Sequence, residues 1–415
     1  MSKKKSIDKK AAKVKTTPAN GPGSATPQES TAEGFPIVGL GASAGGLEAL
    51  KSFFSEVSED SAMAYIVLVH LPPKQPSMMP ELLQRNARIP VAAARDGEVI
   101  EPNHVYVIPP DKEITVYKGR IQLTDFVKRR APLPIDSFLS SLALDQGRNA
   151  AAIILSGTGT DGTLGVKEIK ANDGLVLVQS AESAGYDGMP RSALNTGLAD
   201  MVLAPEEMPK RLNHYFRHSR ASSGRGHATA AAATDQQEWL NKIFAVLRAR
   251  VGHDFSAYKV STILRRIDRR MGLNQIKSHE TYVRYLRENP GEVEVLFREL
   301  LIGVTNFFRD PESFEVLKNR ILPKVLKQMQ KGATFRAWIP GCSTGEEVYS
   351  LAIVLRECLE KTPGQISLQL FGTDIDKYAI EKAREGLFPA SIAVEVSAER
   401  LKRFFIEEGD FFRIR

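Results

Sequence analysis

From residue 35 to residue 216, short unbroken apolar runs alternate with stretches whose apolar positions recur every three or four residues. The runs lie at 35–40, 65–69, 104–108, 151–155, 175–178 and 200–203, each of strand length and with little polar alternation. Strands that are apolar on both faces belong to a parallel sheet covered by helices on either side, so this half is predicted to be a doubly wound α/β sheet. Two segments, 114–117 and 121–123, joined by Lys118-Gly119-Arg120, predict an inserted β-hairpin. From Trp239 to about Leu301 the period is helical throughout, which predicts an all-α subdomain over 237–312. A strand, turn, helix and strand then follow at 335–339, 340–345, 346–359 and 366–372. Two parallel strands are fewer than a doubly wound nucleotide fold uses. The last residues, 411–415, read as part of another strand, so 313–415 is expected to be a partial, truncated Rossmann-like domain.

Composition changes this picture in two places. Residues 1–33 carry seven lysines against Asp8, Glu29 and Glu33, more than half of the net charge of +7, and almost no large apolar side chains. They are expected to form a disordered basic tail. Residues 217–236, rich in Ser, Gly, Ala and Arg, are expected to be a flexible linker between blocks 34–216 and 237–415. With those segments set aside the folded parts are nearly neutral, which argues against nucleic acid as a partner. No run is long enough to span a membrane, and the N-terminus lacks the apolar stretch of a secretion signal, so a cytoplasmic location is expected. Cys342 and Cys358 are the two cysteines and read as reduced thiols, and no metal site is suggested.

Three polar residues follow apolar runs directly: Ser43 after 35–40, His70 after 65–69, and Asp161 in the Ser156-Gly157-Thr158-Gly159-Thr160-Asp161-Gly162 segment after 151–155. The carboxyl ends of parallel strands are where such a sheet builds its site. Gly41-Ala42-Ser43-Ala44-Gly45 fits the G-x-S-x-G turn that exposes a nucleophilic serine, with His70 as general base and Asp161 orienting it. The same glycines with Gly39 and Gly46 also fit a dinucleotide-binding turn in an oxidoreductase, in which Ser43 would be a helix cap. A further turn at 340–345 is followed by Glu346-Glu347, and Asp374 ends the next strand. Carboxylates beside such a turn would repel a phosphate and suit a cationic adenosyl ligand, although Glu346 and Glu347 are also good first-turn helix residues and Asp374 a good cap.

The segments "IVGLGASAGG", "VLVHLPP", "IILSGTGTDG" and "GMPRSA" (188–193) resemble the landmarks of the catalytic domain of CheB-type chemotaxis methylesterases over about 35–216. The resemblance implies hydrolysis of glutamate γ-methyl esters on chemoreceptors, with glutamine deamidation, by a Ser43, His70, Asp161 triad that needs no cofactor. "GVTNFFRDPESF" (303–314), "IPGCSTGEEVYSLA" (339–352) and "FGTDID" (371–376) resemble CheR-type chemotaxis methyltransferases over about 238–415. That resemblance implies S-adenosylmethionine as cofactor, with Thr305, Arg309, Glu346 and Asp374 in contact with it and a later pocket-completing strand beyond Arg415. Thr158, Gly303 and Val348 stand where these families commonly have Met, Asn and Pro. The implied partners are methyl-accepting chemoreceptors or similar sensory receptors, together with histidine-kinase signalling proteins. Lys259, Arg265, Arg266, Arg269 and Arg270 include neighbours three and four apart on one helix face, and the resemblance implies that this face docks on an acidic receptor segment. The expected function is receptor adaptation by a fused methylesterase and methyltransferase. A non-catalytic receptor-binding adaptor is the alternative.

Overall fold

Seven apolar strands of the first half pair in parallel into one sheet in a computed structural model that describes residues 34–70, 77–125, 133–223, 230–301, 303–360 and 366–415. They are β1 (Ile37–Ala42), β2 (Ala64–Val69), β3 (Val91–Ala93), β4 (Val105–Val107), β7 (Ala150–Ile154), β8 (Leu175–Gln179) and β9 (Met201–Leu203). Their order is β3-β4-β2-β1-β7-β8-β9, with the hairpin β5 (Lys112–Tyr117) and β6 (Arg120–Asp125) apart from the sheet. The doubly wound sheet is therefore present, with β3 added to the six expected strands. Three residues at a sheet edge, Ala92 and Ala93 of them exposed, leave too short an apolar run to be legible. The tail over 1–33 and the Leu71-Pro72-Pro73 run lie outside the described residues.

Alternate residues of each strand feed two cores. Ile37, Ile66 and Ile154 pack beneath α3 (Pro134–Gln146) and α4 (Thr163–Ala171), while Val38, Tyr65 and Ile153 pack beneath α1 (Gly46–Ser55) and α6 (Met208–Ser223). The shorter α2 (Met79–Gln84) and α5 (Gly188–Asn195) complete this half. Gly39 and Gly41 lie inside β1, and a Cβ on either would come within 2.6 Å of Phe138 or Ile135 of α3. These glycines thus serve helix packing on the central strand rather than a dinucleotide turn. Phe138, Leu139 and Leu142 of α3 are fully buried, each contributing about 2 kcal/mol. That outweighs the roughly 1–3 kcal/mol lost where Asp136, on the same helix, buries a carboxyl oxygen with no partner among the described residues.

In the second half α7 (Ala230–Val251), α8 (Val260–Leu273), α9 (His279–Glu288) and α10 (Pro290–Leu300) share a core around Ile243, Ile267, Tyr282 and Leu296. Helices α11 (Pro311–Val316) and α12 (Leu322–Gln328) lead into the parallel pair β10 (Thr334–Pro340) and β11 (Ser367–Thr373), connected through α13 (Glu346–Leu359). After α14 (Lys377–Glu385), β12 (Leu387–Pro389), α15 (Ala398–Phe404), β13 (Phe405–Glu408) and β14 (Phe411–Ile414) complete the described chain. The final strand pairs antiparallel with β12 and β13, not with β10 or β11, so it does not extend the parallel pair. No helix among the described residues is long and apolar enough to cross a membrane.

Two expectations are corrected. Most of 217–236 is not a loose linker: α6 continues to Ser223 and α7 begins at Ala230, with 224–229 outside the described residues. Alanine-rich sequence looks like a linker but has the highest helix propensity, and Tyr215, Phe216, Trp239 and Leu240 anchor the two helices in their cores. The basic face of α8 does not face outward either. Arg266, Arg269 and Arg270 are buried, and their acidic partners belong to this chain: Asp173 and Asp200 of the first half, Glu292 and Glu299 of α10. Lys259 and Arg265 remain exposed, the latter 3.6 Å from Asp173.

Lys170 of α4 joins this cluster by pairing with Asp200 and Glu299, so the network clamps the sheet domain to the helical subdomain. Burial works to raise the Asp200 carboxyl, but Arg269 and then Lys170 hold it down at about 2. A carboxyl depressed in the folded state adds stability above its ordinary value of 3.8 and loses it as pH falls towards about 2. Asp200→Asn is therefore expected to cost about 3 kcal/mol near neutral pH, as for one member removed from a buried ion pair. The gap from the native chain should narrow below pH 4, as read from urea midpoints across pH.

Candidate active sites

Strand β1 is central, and the chain runs outward to β2, β4 and β3 on one side and to β7, β8 and β9 on the other, so the winding reverses between β1 and β7. A crevice forms where the connections part at such a point. Ser43 follows β1, and its backbone N–H donates to the Ser156 carbonyl just past β7, at 2.9 Å. Ser156 Oγ donates to the Ala44 carbonyl and accepts the Tyr186 N–H, both at 2.9 Å. Gly45 takes a left-handed φ of 73° here, and any Cβ would sit 2.8 Å from Ser156 Oγ. The sharp turn is thereby locked with α1 starting three residues after Ser43.

His70, one residue beyond β2, stands between the other two groups. Its Nδ1 lies 3.3 Å from Ser43 Oγ and its Nε2 2.9 Å from Asp161 Oδ2. Asp161 accepts at Oδ2, so Nε2 carries the proton and the Nδ1 lone pair faces the serine hydroxyl. The Asp161 side chain is 4% exposed and that of His70 36%, so access to the group is from the histidine side. Three backbone groups also hold Asp161: Ile135 N–H donates to Oδ2 at 3.1 Å, and the N–H groups of Asp136 and Gly162 donate to Oδ1 at 2.9 Å. Two of these donors are orphan N–H groups of the first turn of α3, whose positive end favours an anion.

Sequence reasoning singled out Ser43, His70 and Asp161, and the structure brings them together. It missed Ser156, the α3 N-terminus and Asp136. The signal available for the last two was Pro134 followed by an acidic residue, the signature of a helix start. Asp136 Oδ1 accepts the Gly165 N–H at 2.7 Å, while Oδ2 is buried without a partner among the described residues. Burial first, and then the neighbouring Asp161 charge, push the Asp136 carboxyl well above the usual carboxylate range. The "GMPRSA" segment forms α5, and Met189 packs so closely on Gly157 that a Cβ there would meet its Sδ at 2.2 Å and Ser43 Cβ at 2.9 Å.

A second site lies where β10 and β11 end. Gly341, Ser343 and Gly345 all take positive φ in the connecting turn. Ser343 N–H donates to Asp374 Oδ2 at 2.8 Å, and Asp376 N–H to Asp374 Oδ1 at 2.9 Å, which fixes the carboxylate at the strand end. Asp374, Ser343 and Thr344 line a cavity of about 310 Å³, shared with Glu299 of α10 and with Gly197 and Asp200 of the first half. Glu346 is buried beside this cavity, its Oε2 accepting the Thr344 hydroxyl and its Oε1 the Lys167 ammonium at 3.0 Å. The Thr305 carbonyl accepts from the same ammonium at 3.4 Å. Arg309 is exposed and donates to the Val304 carbonyl. The volume fits a nucleoside-sized ligand, with Asp374 in the lining able to accept ribose hydroxyls through its remaining lone pairs and Glu346 one hydrogen bond behind the lining residue Thr344.

Residues 38–212 match the family described as CheB methylesterase. Residues 238–301 match the CheR methyltransferase all-alpha domain, and 303–415 the CheR methyltransferase SAM binding domain. The chain is 35% identical over 355 residues to an uncharacterized 104.1 kDa protein of Rhodobacter capsulatus, covering 81% of this chain and 37% of that protein. It is 35% identical over 192 residues to a protein-glutamate methylesterase/protein-glutamine glutaminase of Pseudomonas aeruginosa, covering 45% of this chain and 54% of that one. The crystal structure of the Thermotoga maritima CheB methylesterase catalytic domain is 29% identical, covering 43% of this chain and 98% of that one, with a TM-score of 0.41. The chain thus spans from about a third to about half the length of these two curated relatives.

The raised Asp136 carboxyl gives a pH signature. A carboxyl whose folded value is raised keeps its proton in the native state while the unfolded chain gives it up, so stability falls as pH rises above the ordinary value of 3.8. Asp136→Asn cannot ionise and is expected to flatten that decline as pH rises past 3.8, as read from urea midpoints of the two proteins.

Proposed function

Because the chain joins a CheB methylesterase domain to the all-alpha and SAM-binding domains of a CheR methyltransferase, we propose that it sets the methylation of chemoreceptor glutamates, its first half removing methyl groups and its second half adding them. The convergence of the Ser43 hydroxyl, the His70 ring and the Asp161 carboxylate carries this reading. Ser43 Oγ attacks the ester carbonyl while His70 Nδ1 takes the hydroxyl proton, and Asp161 stabilises the imidazolium through Nε2–H. The tetrahedral intermediate collapses to an acyl-serine as His70 returns the proton to the departing methoxide, which leaves as methanol. Water, deprotonated by His70, then frees the glutamate carboxylate and restores Ser43. The N-terminus of α1 behind Ser43 brings a positive helix end to the developing oxyanion. A receptor glutamine follows the same course with ammonia as leaving group, in keeping with the name of the Pseudomonas aeruginosa relative.

In the second half Asp374 is read as the acceptor for ribose hydroxyls and Glu346 as the counter-charge to a cationic methyl donor, with Thr305 and Arg309 as further contacts. S-adenosylmethionine, when bound, supplies an electrophilic methyl group for a glutamate carboxylate. Burial of Glu346 and the backbone clamp on Asp374 support this reading, because they hold the acceptors in place before a ligand arrives. Opposed activities in one chain would tune sensory receptors locally, beside their histidine-kinase partners in the cytoplasm.

Ser43→Ala is expected to lower methanol release from a methylated chemoreceptor by at least about 10³-fold with the fold intact, as for loss of a triad nucleophile. Unchanged release would remove the triad and leave a receptor-binding adaptor as the better reading.

A further inference from the structure

Lys170 and residues 196–200 of the first half line the cavity read as the methyl-donor site, and Glu346 stands behind its lining residue Thr344. Lys167 lies on α4 between Val166, buried in the sheet core, and Glu168, and its side chain crosses into the other half to reach Glu346 Oε1 and the Thr305 carbonyl. Its side chain is 12% exposed, against 2% for Glu346. Among the described residues, Lys167 is the cation paired with that carboxylate. The position is fixed from both ends: Lys170, one turn along α4, is held by Asp200 and Glu299, and Ser391 N–H donates to Thr160 Oγ1 at 3.2 Å, next to Asp161.

The ammonium sits among several acids. Glu346 accepts from it, and Glu395 of the second half and Asp136 of the first interact with its charge. Burial above all pushes the Glu395 carboxyl up to about 7, against the pull of Lys167 and with Glu346 and Glu168 adding to the rise. A buried carboxylate stripped of its cation is strongly unfavourable. A neutral or anionic molecule therefore cannot take the place of Lys167 at Glu346 without leaving that carboxylate uncompensated, whereas a cationic one can.

Resting on the reading of this cavity as the methyl-donor site, we infer that Lys167 is an affinity-setting residue supplied by the esterase half: its ammonium occupies the place of the donor's cationic end against Glu346 and must leave for the donor to bind. The docked arrangement of the two halves then lowers donor affinity, and donor binding loosens one contact between them.

Calorimetric titration of the full chain with S-adenosylmethionine tests this. Lys167→Met keeps the apolar stem without the charge and is expected to bind the donor about tenfold more tightly, the ratio expected when a competing charge is worth one pKa unit. Lys167→Arg, which retains the charge and can grip Glu346 with two donors, is expected to bind severalfold more weakly and decides the matter should the Met variant unfold. Equal or weaker binding by a folded Met variant, or tighter binding by the Arg variant, overturns the competition. In that event, loss of binding in Asp374→Asn would keep the cavity as the donor site. An absence of heat at millimolar donor with every folded variant would overturn the donor-site reading, and this inference with it.

Discussion

The N-terminus of α3 rests on the central strand of the sheet, and the geometry that joins Ser43, His70 and Asp161 depends on that contact. Glycines at 39 and 41 remove the side chains that would hold the helix away, so Ile135 and Phe138 come down onto β1 and the first N–H groups of α3 reach Asp161. A carboxylate fixed by three backbone donors has no rotamer freedom left to lose when it pairs with His70, and this leaves the imidazole poised towards Ser43. The cost falls on Asp136, whose carboxyl is carried into the core beside the Asp161 carboxylate and pushed well above the usual carboxylate range. Buried apolar residues of the same helix offset it.

A different kind of interaction joins the halves. Lys170, Arg266 and Arg269 meet Asp173, Asp200 and Glu299 away from water, and Lys167 meets Glu346 nearby. Such clusters add less net stability than an apolar contact of equal size would, since each ion must first be desolvated. They are selective instead, because a misplaced partner leaves a buried charge without compensation. Charge matching in this interface sets α4, which follows the loop after β7, against Glu346, which follows the turn after β10.

The sequence alone carried the parallel sheet, the hairpin, the helical subdomain and the three triad residues, because apolar periodicity and position after a strand are local properties. The turn at 340–345 with Glu346 and Asp374 suggested a cationic adenosyl ligand, and resemblance to known families added S-adenosylmethionine, Thr305 and Arg309. Locality also marks the limit. A serine that fastens a turn 112 residues away, as Ser156 does through the Ala44 carbonyl, carries no local sign of that role. The arginines of α8 illustrate this most plainly: their spacing declares a shared face, but whether that face meets solvent, a receptor or another part of the same chain is settled by long-range packing. Burial of those charges is possible only because folding brings acids from α10 and from the sheet domain against them. Helix faces and strand ends were thus written in neighbouring residues, while which charges would be buried, and opposite what, was decided by tertiary structure, since the desolvation of an ion depends on everything packed around it.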